Sequence, residues 1–424
     1  MSTKSLKKSL YKSIFELVGD EGIYASGRNE VYGCIFGRDS AITILKLLDT
    51  YEITHDEKIL EIAKKTLLTL ASLQGKEINL ENGEEPGKFI HEFRRERHEH
   101  LTSTMSPPWY LNKDKTMRNY DSIDSTPLGL IAMHRYFQIT KDQDFLTAVA
   151  LQIAAGLKWI VQFGDQDGDK LVEYTFHPER RHGGLKVQSW TDSVESLLQP
   201  NGKFPKYPIA PVEAQAYSWL ALKLWADEFK GLDQDFADSL TAHANQLKHA
   251  FNKMFIFQDG SHFYAAQALD GNKNQIQTVT ANPLLCLWAS YKNGRKIESI
   301  IQNKYICDVV ERAFEPDLFE KTAGIRTMSS KAATFNPTQN SYHNGSFWPF
   351  LNGLIRDGLI HFGYHKEARK LKTATLKPIK HFGSPIELYI KTESGYEEYK
   401  SNSGQVSCRE QAWSAAALLH LVIS

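Results

Sequence analysis

The 424-residue sequence predicts an all-α chain wound into a closed (α/α)6 toroid of six inner and six outer helices. Three observations lead there. Apolar residues recur at helical spacing in about twelve segments, the links between segments alternate short and long, and the helix after each long link is the more apolar of its pair. The segments are 3–18, 39–54, 57–74, 126–139, 142–163, 211–230, 234–255, 281–291, 296–314, 345–362, 365–382 and 408–422.

In the third segment Ile59, Ile62, Leu67 and Leu70 fall on one face with lysines opposite. Ser125 and Thr126 before Pro127 mark one start, and Pro211 opens another. Only a few residues separate 54 from 57, 139 from 142, 230 from 234, 291 from 296 and 362 from 365, and such short links force antiparallel hairpins. The long links 75–125, 164–210, 256–280, 315–344 and 383–407 then all emerge at the opposite end, where loops of that length are expected to carry function.

Helices that follow long links, such as "GRDSAITILKLL", "STPLGLIAMHRYF" and "REQAWSAAALLHLVI", suit burial on most sides. Their partners, such as "DEKILEIAKKTLLTL" and "HKEARKLKTATLKPI", carry the charge expected of an outer ring. The N-terminal helix supplies the sixth outer member, and 1–424 reads as a single barrel domain. A helical solenoid would show a repeated signature and even loops, and the sequence has neither.

The 50 basic and 50 acidic residues cancel, so no global field points to nucleic acid or to a membrane surface. Cys34, Cys286, Cys307 and Cys408 are scattered, as free thiols in a reducing compartment are. The lysine-bearing N-terminus lacks the apolar core of a signal peptide, and no run reaches the roughly 18 uninterrupted apolar residues of a span. A cytoplasmic protein is expected.

Acids, an arginine and aromatics gather at the predicted mouth. They are Arg38 and Asp39 in "FGRDS", Asp121 and Asp124 in "NYDSIDSTP", Glu213 in "APVEAQ", and Tyr342, His343 and Trp348 in "SYHNGSFWP". "QSWTDS" adds Trp190 and Asp192, and "SCREQAW" adds Trp413. Asp39 and Asp124 have a plainer reading as helix caps, with Arg38 as an ion-pair partner. No GxSxG and no phosphate loop is present. "DQDGDKLVEY" resembles a calcium loop, yet its glycine at the fourth place and glutamate at the ninth are wrong for an EF-hand. "HEFRRERHEH" lacks the two-histidine spacing of a zinc helix. No metal and no cofactor is expected.

Paired carboxyl groups near aromatic rings fit glycoside cleavage, in which one protonates the leaving oxygen and the other activates water or attacks the sugar. The acid must keep its proton near neutrality, and an indole that excludes water raises its pKa. Trp190 beside Asp192 fits that requirement.

These motifs resemble the amylo-α-1,6-glucosidase family, the glucosidase part of glycogen-debranching enzymes and its bacterial relatives. "FGRDSAITILKLL", "GKFIHEFRRE", "SIDSTPLGLIAM", "GLKVQSWTDS", "FNPTQNSYHNGSFWPF", "PIELY" and "SCREQAW" match in order along most of the chain. The resemblance implies an (α/α)6 barrel and an inverting mechanism, with Asp192 as general acid and Glu387 as general base. It implies a carbohydrate substrate, an α-linked glucan or oligosaccharide cleaved from its end. Glu393, Glu397, Glu398 and Glu410 compete for the base, and a complete two-activity debranching enzyme is not expected. Arg38, Asp39, Asp124, Trp190, Tyr342, His343, Trp348 and Trp413 are the expected substrate-binding residues. Trp348→Ala is expected to weaken binding while leaving the fold intact. Two other readings stay open: a sugar isomerase using His91, His177 and His343 as proton shuttles, and a non-catalytic glycan-binding protein.

Overall fold

The computed structural model describes residues 3–424. Its helices are α1 (Thr3–Glu16), α2 (Gly37–Thr54), α3 (Glu57–Ser72), the single turn α4 (Glu99–Thr102), α5 (Ser125–Thr140), α6 (Gln143–Gln162) and α7 (Val212–Phe229). Then follow α8 (Gln234–Met254), α9 (Leu285–Trp288), α10 (Asn303–Ala313), α11 (Pro349–His361), α12 (His365–Phe382) and α13 (Ala412–Ile423). Six of them, α2, α5, α7, α9, α11 and α13, pack each on the next, and α13 packs back on α2. That closed inner ring is the (α/α)6 toroid. Outer helices α3, α6, α8 and α12 pack on the inner helix that precedes them, and α1 packs on α13.

The short links show why the hairpins form. His55 and Lys141 sit in the left-handed region at φ 52° and end α2 and α5. One residue later, the Asp56 and Asp142 side chains accept from Lys58 N and Phe145 N and cap α3 and α6. Asp233 caps α8 in the same way. Inner helices approach closely: a Cβ on Gly358 of α11 would lie 2.7 Å from Trp288 N in α9. Helix α6 is long and apolar enough to cross a membrane by length and composition, and here it packs on α5 and buries Val149, Ile153 and Leu157.

The fourth hairpin differs from expectation. Segment 281–291 is a 3-10 turn (Asn282–Leu284) running into the one-turn α9, and 296–314 contracts to α10. Between them Tyr291–Asn293 pairs with Lys296–Glu298. Asn293 pairs with Lys296, so the two-residue turn is Gly294–Arg295, with Gly294 at φ 60°, and a glycine at positive φ in the first turn position favours a tight β-hairpin over a helix. Segments 345–362 and 408–422 start later than expected, at Pro349 and Ala412, because the residues before them belong to the mouth loops.

Four of the five long links line one cavity at the mouth, and so does 17–36, which the spacing argument passed over. The link 256–280 contributes no wall. Its Ala268–Leu269 strand pairs with Ala210–Pro211 at the start of α7, and Gln267 Nε2 donates to Ser196 O at 2.8 Å. It props the 183–196 loop from behind.

Candidate active site

The floor of the cavity is the first turn of α2. Strand Glu92–Arg94 lies between Ile35–Phe36 and Met117–Asn119, and Gly37 N donates to His91 O at 2.9 Å. A Cβ on Gly37 would meet Ile90 O at 1.9 Å, so glycine is what lets the chain cross there. This crossing turns Arg38 inward, where it is 2% exposed. Its guanidinium donates to Ser189 O at 3.0 Å and to Asp192 Oδ2 at 3.3 and 3.4 Å, and its Nε lies 3.2 Å from Asp124 Oδ2. One arginine thus ties the loop carrying Asp192 to the ring.

Asp192 and Glu387 line the same cavity, whose volume is about 340 Å³. Burial pushes Asp192 up to about 7 against the pull of Arg38, with Asp124 adding to the rise. Its side chain keeps 26% exposure, so it sits at the wall of the cavity and not under it. Burial also pushes Glu387 up to about 7, opposed by two donors. Tyr342 Oη donates to Oε1 at 2.5 Å and Cys408 N to Oε2 at 2.9 Å. Donors on both oxygens favour the ionised form. Asp39, which accepts from Gln411 Nε2 at 3.2 Å, is likewise raised to about 7, by burial first and then by Asp192 against the pull of Arg38.

The aromatic residues form a packed wall. Trp190, Trp348 and Trp413 are 2%, 1% and 5% exposed. Trp190 meets His343, Trp348 and Phe350 edge-on, His343 stacks on Trp348, and Trp413 stacks on Phe350 at 3.8 Å. Trp348 is therefore a core side chain whose margin reaches the cavity, and Trp348→Ala would leave a void costing about 3–5 kcal/mol. The expectation of an intact fold for that variant does not survive this burial. Asp124 needs a second correction: it is fully buried, does not line the cavity and accepts from Ser122 Oγ at 2.5 Å. It holds Arg38 rather than substrate. Nor does it cap α5, for no side-chain cap bond forms there.

His343 Nδ1 pairs with Ser193 Oγ at 2.8 Å. Burial and Arg38 push its pKa, and that of His91, well down, so both rings stay neutral. His177 lies outside this cavity. Of the competing carboxylates, Glu393 is exposed at a hairpin turn and Glu397 accepts from Thr392 and Ser394 in that same hairpin. Glu398 pairs with Arg409, and neither it nor Glu410 reaches the cavity. Asp121 holds Arg180 at 2.7 Å, and Glu213 accepts from Asn282 beneath the floor.

Sequence reasoning missed Tyr32, Glu92, Arg94 and Gln405. Gln405 Nε2 donates to Tyr32 Oη at 3.1 Å, which lies 3.1 Å from Tyr342 Oη. The chain of donors ends on Glu387. Tyr32 and Gln405 sit in loops without periodicity, Glu92 and Arg94 on a three-residue strand too short to show one, and only the fold brings 32 beside 342 and 405. In the acidic turn, Lys273 Nζ stands 2.7 Å from each of Asp167, Asp169 and Glu173.

Residues 209–414 match the mannosylglycerate hydrolase MGH1-like glycoside hydrolase domain. That stretch is similar to a glycoside hydrolase domain, and the fold is that of the six-hairpin toroids. The matched stretch contains Tyr342, Trp348, Glu387 and Trp413 but begins after Asp192. In fold the chain is similar to the GH63 mannosylglycerate hydrolase of Thermus thermophilus solved with glucose, at TM-score 0.66 and 14% identity over 98% of this chain and 99% of that one. The same Thermus protein has been solved with Tris and D-glycerate. The glucoamylase of Saccharomycopsis fibuligera aligns at TM-score 0.62 and 13% identity, over 99% of this chain and 94% of that one. At such identities the likeness is one of fold. No curated protein sequence matches. The fold that the motif resemblance implies holds, and the domain matched over 209–414 is a glycoside hydrolase domain of the mannosylglycerate hydrolase type rather than the amylo-α-1,6-glucosidase family.

Proposed function

We propose that the protein is an inverting, exo-acting α-glucosidase on short α-linked glucans or oligosaccharides, with Asp192 as general acid and Glu387 as general base. One observation carries this reading: two carboxyl groups raised to about 7 line one cavity, one with close donors on both oxygens and the other with only long contacts on one. Glu387 already receives an O–H and an N–H, so it is set up to work as a carboxylate. Asp192 faces the cavity with Arg38 at 3.3–3.4 Å from one oxygen only, and burial with Asp124 nearby holds its proton near neutrality, where it can be handed to the glycosidic oxygen.

In the proposed reaction Asp192 protonates that oxygen as the bond to the anomeric carbon breaks. Glu387 takes a proton from a water that attacks the opposite face, and the configuration inverts. The water needs room, so a separation of roughly 6.5–9.5 Å between the carboxyls is required. Arg38 and Asp39 at the closed floor are placed to hydrogen-bond the terminal sugar, which favours cleavage at a chain end. The neutral His91 and His343 weigh against an isomerase that shuttles protons through imidazole.

The match over 209–414 favours a second substrate reading, in which the sugar is mannose and the leaving group glycerate. Purified protein incubated with α-glucosides, α-mannosides and mannosylglycerate, with sugar release followed by NMR, tests both. An α-glucoside should yield the β-anomer first; early α-anomer would rule out inversion.

A further inference from the structure

A second concavity lies on the outside of the ring, away from the catalytic cavity. It has a volume of about 710 Å³ and is walled by one face of α12, by Arg356 and Ile360 of α11 and by Ser424. Four of its side chains, Arg369, Lys372, Lys377 and Lys380, are cations on α12, and no Asp or Glu lines it. The face runs from 365 to 380, about 22 Å of helix at 1.5 Å per residue.

The charge here is segregated, for the protein as a whole is balanced at 50 against 50. Helix α12 carries six Lys or Arg against Glu367, which pairs with Lys370 at 3.8 Å. Helix α1, packed on α13, carries four lysines against Glu16. Outer helix α8 shows the contrast, with two lysines against two aspartates.

The bottom of the groove is built and not merely solvated. Arg356 is 8% exposed. Its Nη1 donates to Asp357 Oδ1 at 2.8 Å, but that same carboxylate also serves the buried Lys46. One anion is thus shared between two buried cations. Lys372 is half-buried beside Arg356, and burial together with that neighbour pushes its pKa down. Its Nζ reaches only Ser424 O, at 3.4 Å.

We propose that this groove binds a small polyanion bearing two or more phosphates, with Arg356 and Lys372 at its bottom and Arg369, Lys377 and Lys380 along its rim. A dianionic phosphate between Arg356 and Lys372 replaces cation–cation repulsion with charge-assisted hydrogen bonds. Further phosphates reach the rim lysines. A bilayer or a stiff polymer touches the rim but cannot reach Arg356 at the bottom of a concave site.

The test is calorimetry and thermal unfolding of the full chain with inorganic tripolyphosphate at low and physiological salt. One site per chain is expected, with a rise in Tm and a Kd that weakens as salt is added. Arg356→Met also strips a partner from Asp357, so the double variant Lys372→Met, Lys377→Met carries the test. It should bind about tenfold more weakly, equivalent to about 1.4 kcal/mol, while Lys253→Met on α8 should bind as the parent does. The proposal is overturned if the double variant binds equally well, if sulfate binds as tightly as tripolyphosphate, or if only anionic vesicles or RNA bind. None of these readouts depends on the substrate of the catalytic cavity.

Discussion

At the mouth of the ring, Asp39, Asp192 and Glu387 are pushed up to about 7. At the other end of the same inner helices, Asp357 is held well below the usual carboxylate range. Burial acts on all four. The difference lies in the cations. Lys46, about two turns down α2 from Arg38, is fully buried and contacts Asp357, Asp49 at 2.8 Å and His420 Nδ1 at 2.7 Å, joining α2, α11 and α13. Asp357 has a cation in direct contact. At the mouth Arg38 is divided among several acids, so none of them is fully compensated. Uncompensated carboxyl groups hold protons near neutrality and can exchange them; compensated ones only hold helices together.

The largest effect expected from this contrast is chemical. Glu387→Gln should cut kcat by roughly 10²–10⁴-fold, the usual worth of a general base, on glycosides and on a glycosyl fluoride alike. Asp192→Asn should lose a similar factor on poor leaving groups and much less on the fluoride, which needs no proton. Equal losses on both substrates would break the division of roles.

Next in size is the closed end. Lys46→Met leaves Asp357 buried without its main partner, and breaking such a pair costs about 3–5 kcal/mol. Urea unfolding measures it, and a loss under about 1 kcal/mol would falsify the contrast drawn here.

A smaller effect sharpens the mouth itself. Tyr342→Phe removes the O–H that favours ionised Glu387, so the Glu387 pKa should rise. The base must be ionised and the acid protonated, so the pH–rate profile of the parent should be a narrow bell near neutrality. Its acidic limb should move to higher pH in Tyr342→Phe. An unmoved limb would mean that Tyr342 does not act through Glu387.

The smallest effect is on stability. Buried Glu213 is raised from its ordinary 4.5 to about 7, chiefly by burial. Between those values the folded state binds more protons than the unfolded chain, so stability falls as pH rises through that window. Asp357, shifted downward, does the reverse and loses its contribution as pH falls toward and below its unfolded value near 4. Glu213→Gln should therefore raise Tm more at pH 8 than at pH 5, and a flat difference between the two would show that Glu213 is not strained by ionisation.

The same contrast governs what can be read from the sequence. Inner helices announce themselves because burial on all sides demands apolar runs, and the short turns at His55–Asp56 and Lys141–Asp142 follow simple cap chemistry. The hairpin that turns at Gly294–Arg295 is readable in itself, but apolar spacing on both sides masks it. At the mouth, residues at the starts of helices, such as Arg38 and Asp39, are legible by position. Tyr32 and Gln405 are not, since neither periodicity nor local pattern marks a loop residue whose partners lie more than 300 positions away. Asp124 stands out by position, yet its task is hidden, because its partner Arg38 is fixed only by the fold.

The packing of α13 on α2 has a consequence for how the protein comes into being. Gln411 donates to Asp39 across that seam, a contact spanning 372 positions, and Trp413 lines the same cavity as Arg38. Non-local contacts of this kind form late, because the intervening chain must be ordered before they can reward it. During synthesis the first five hairpins can pack in order behind the ribosome. The floor formed by Arg38 and Asp39 lacks Gln411 and Trp413 beside it until α13 has emerged and docked.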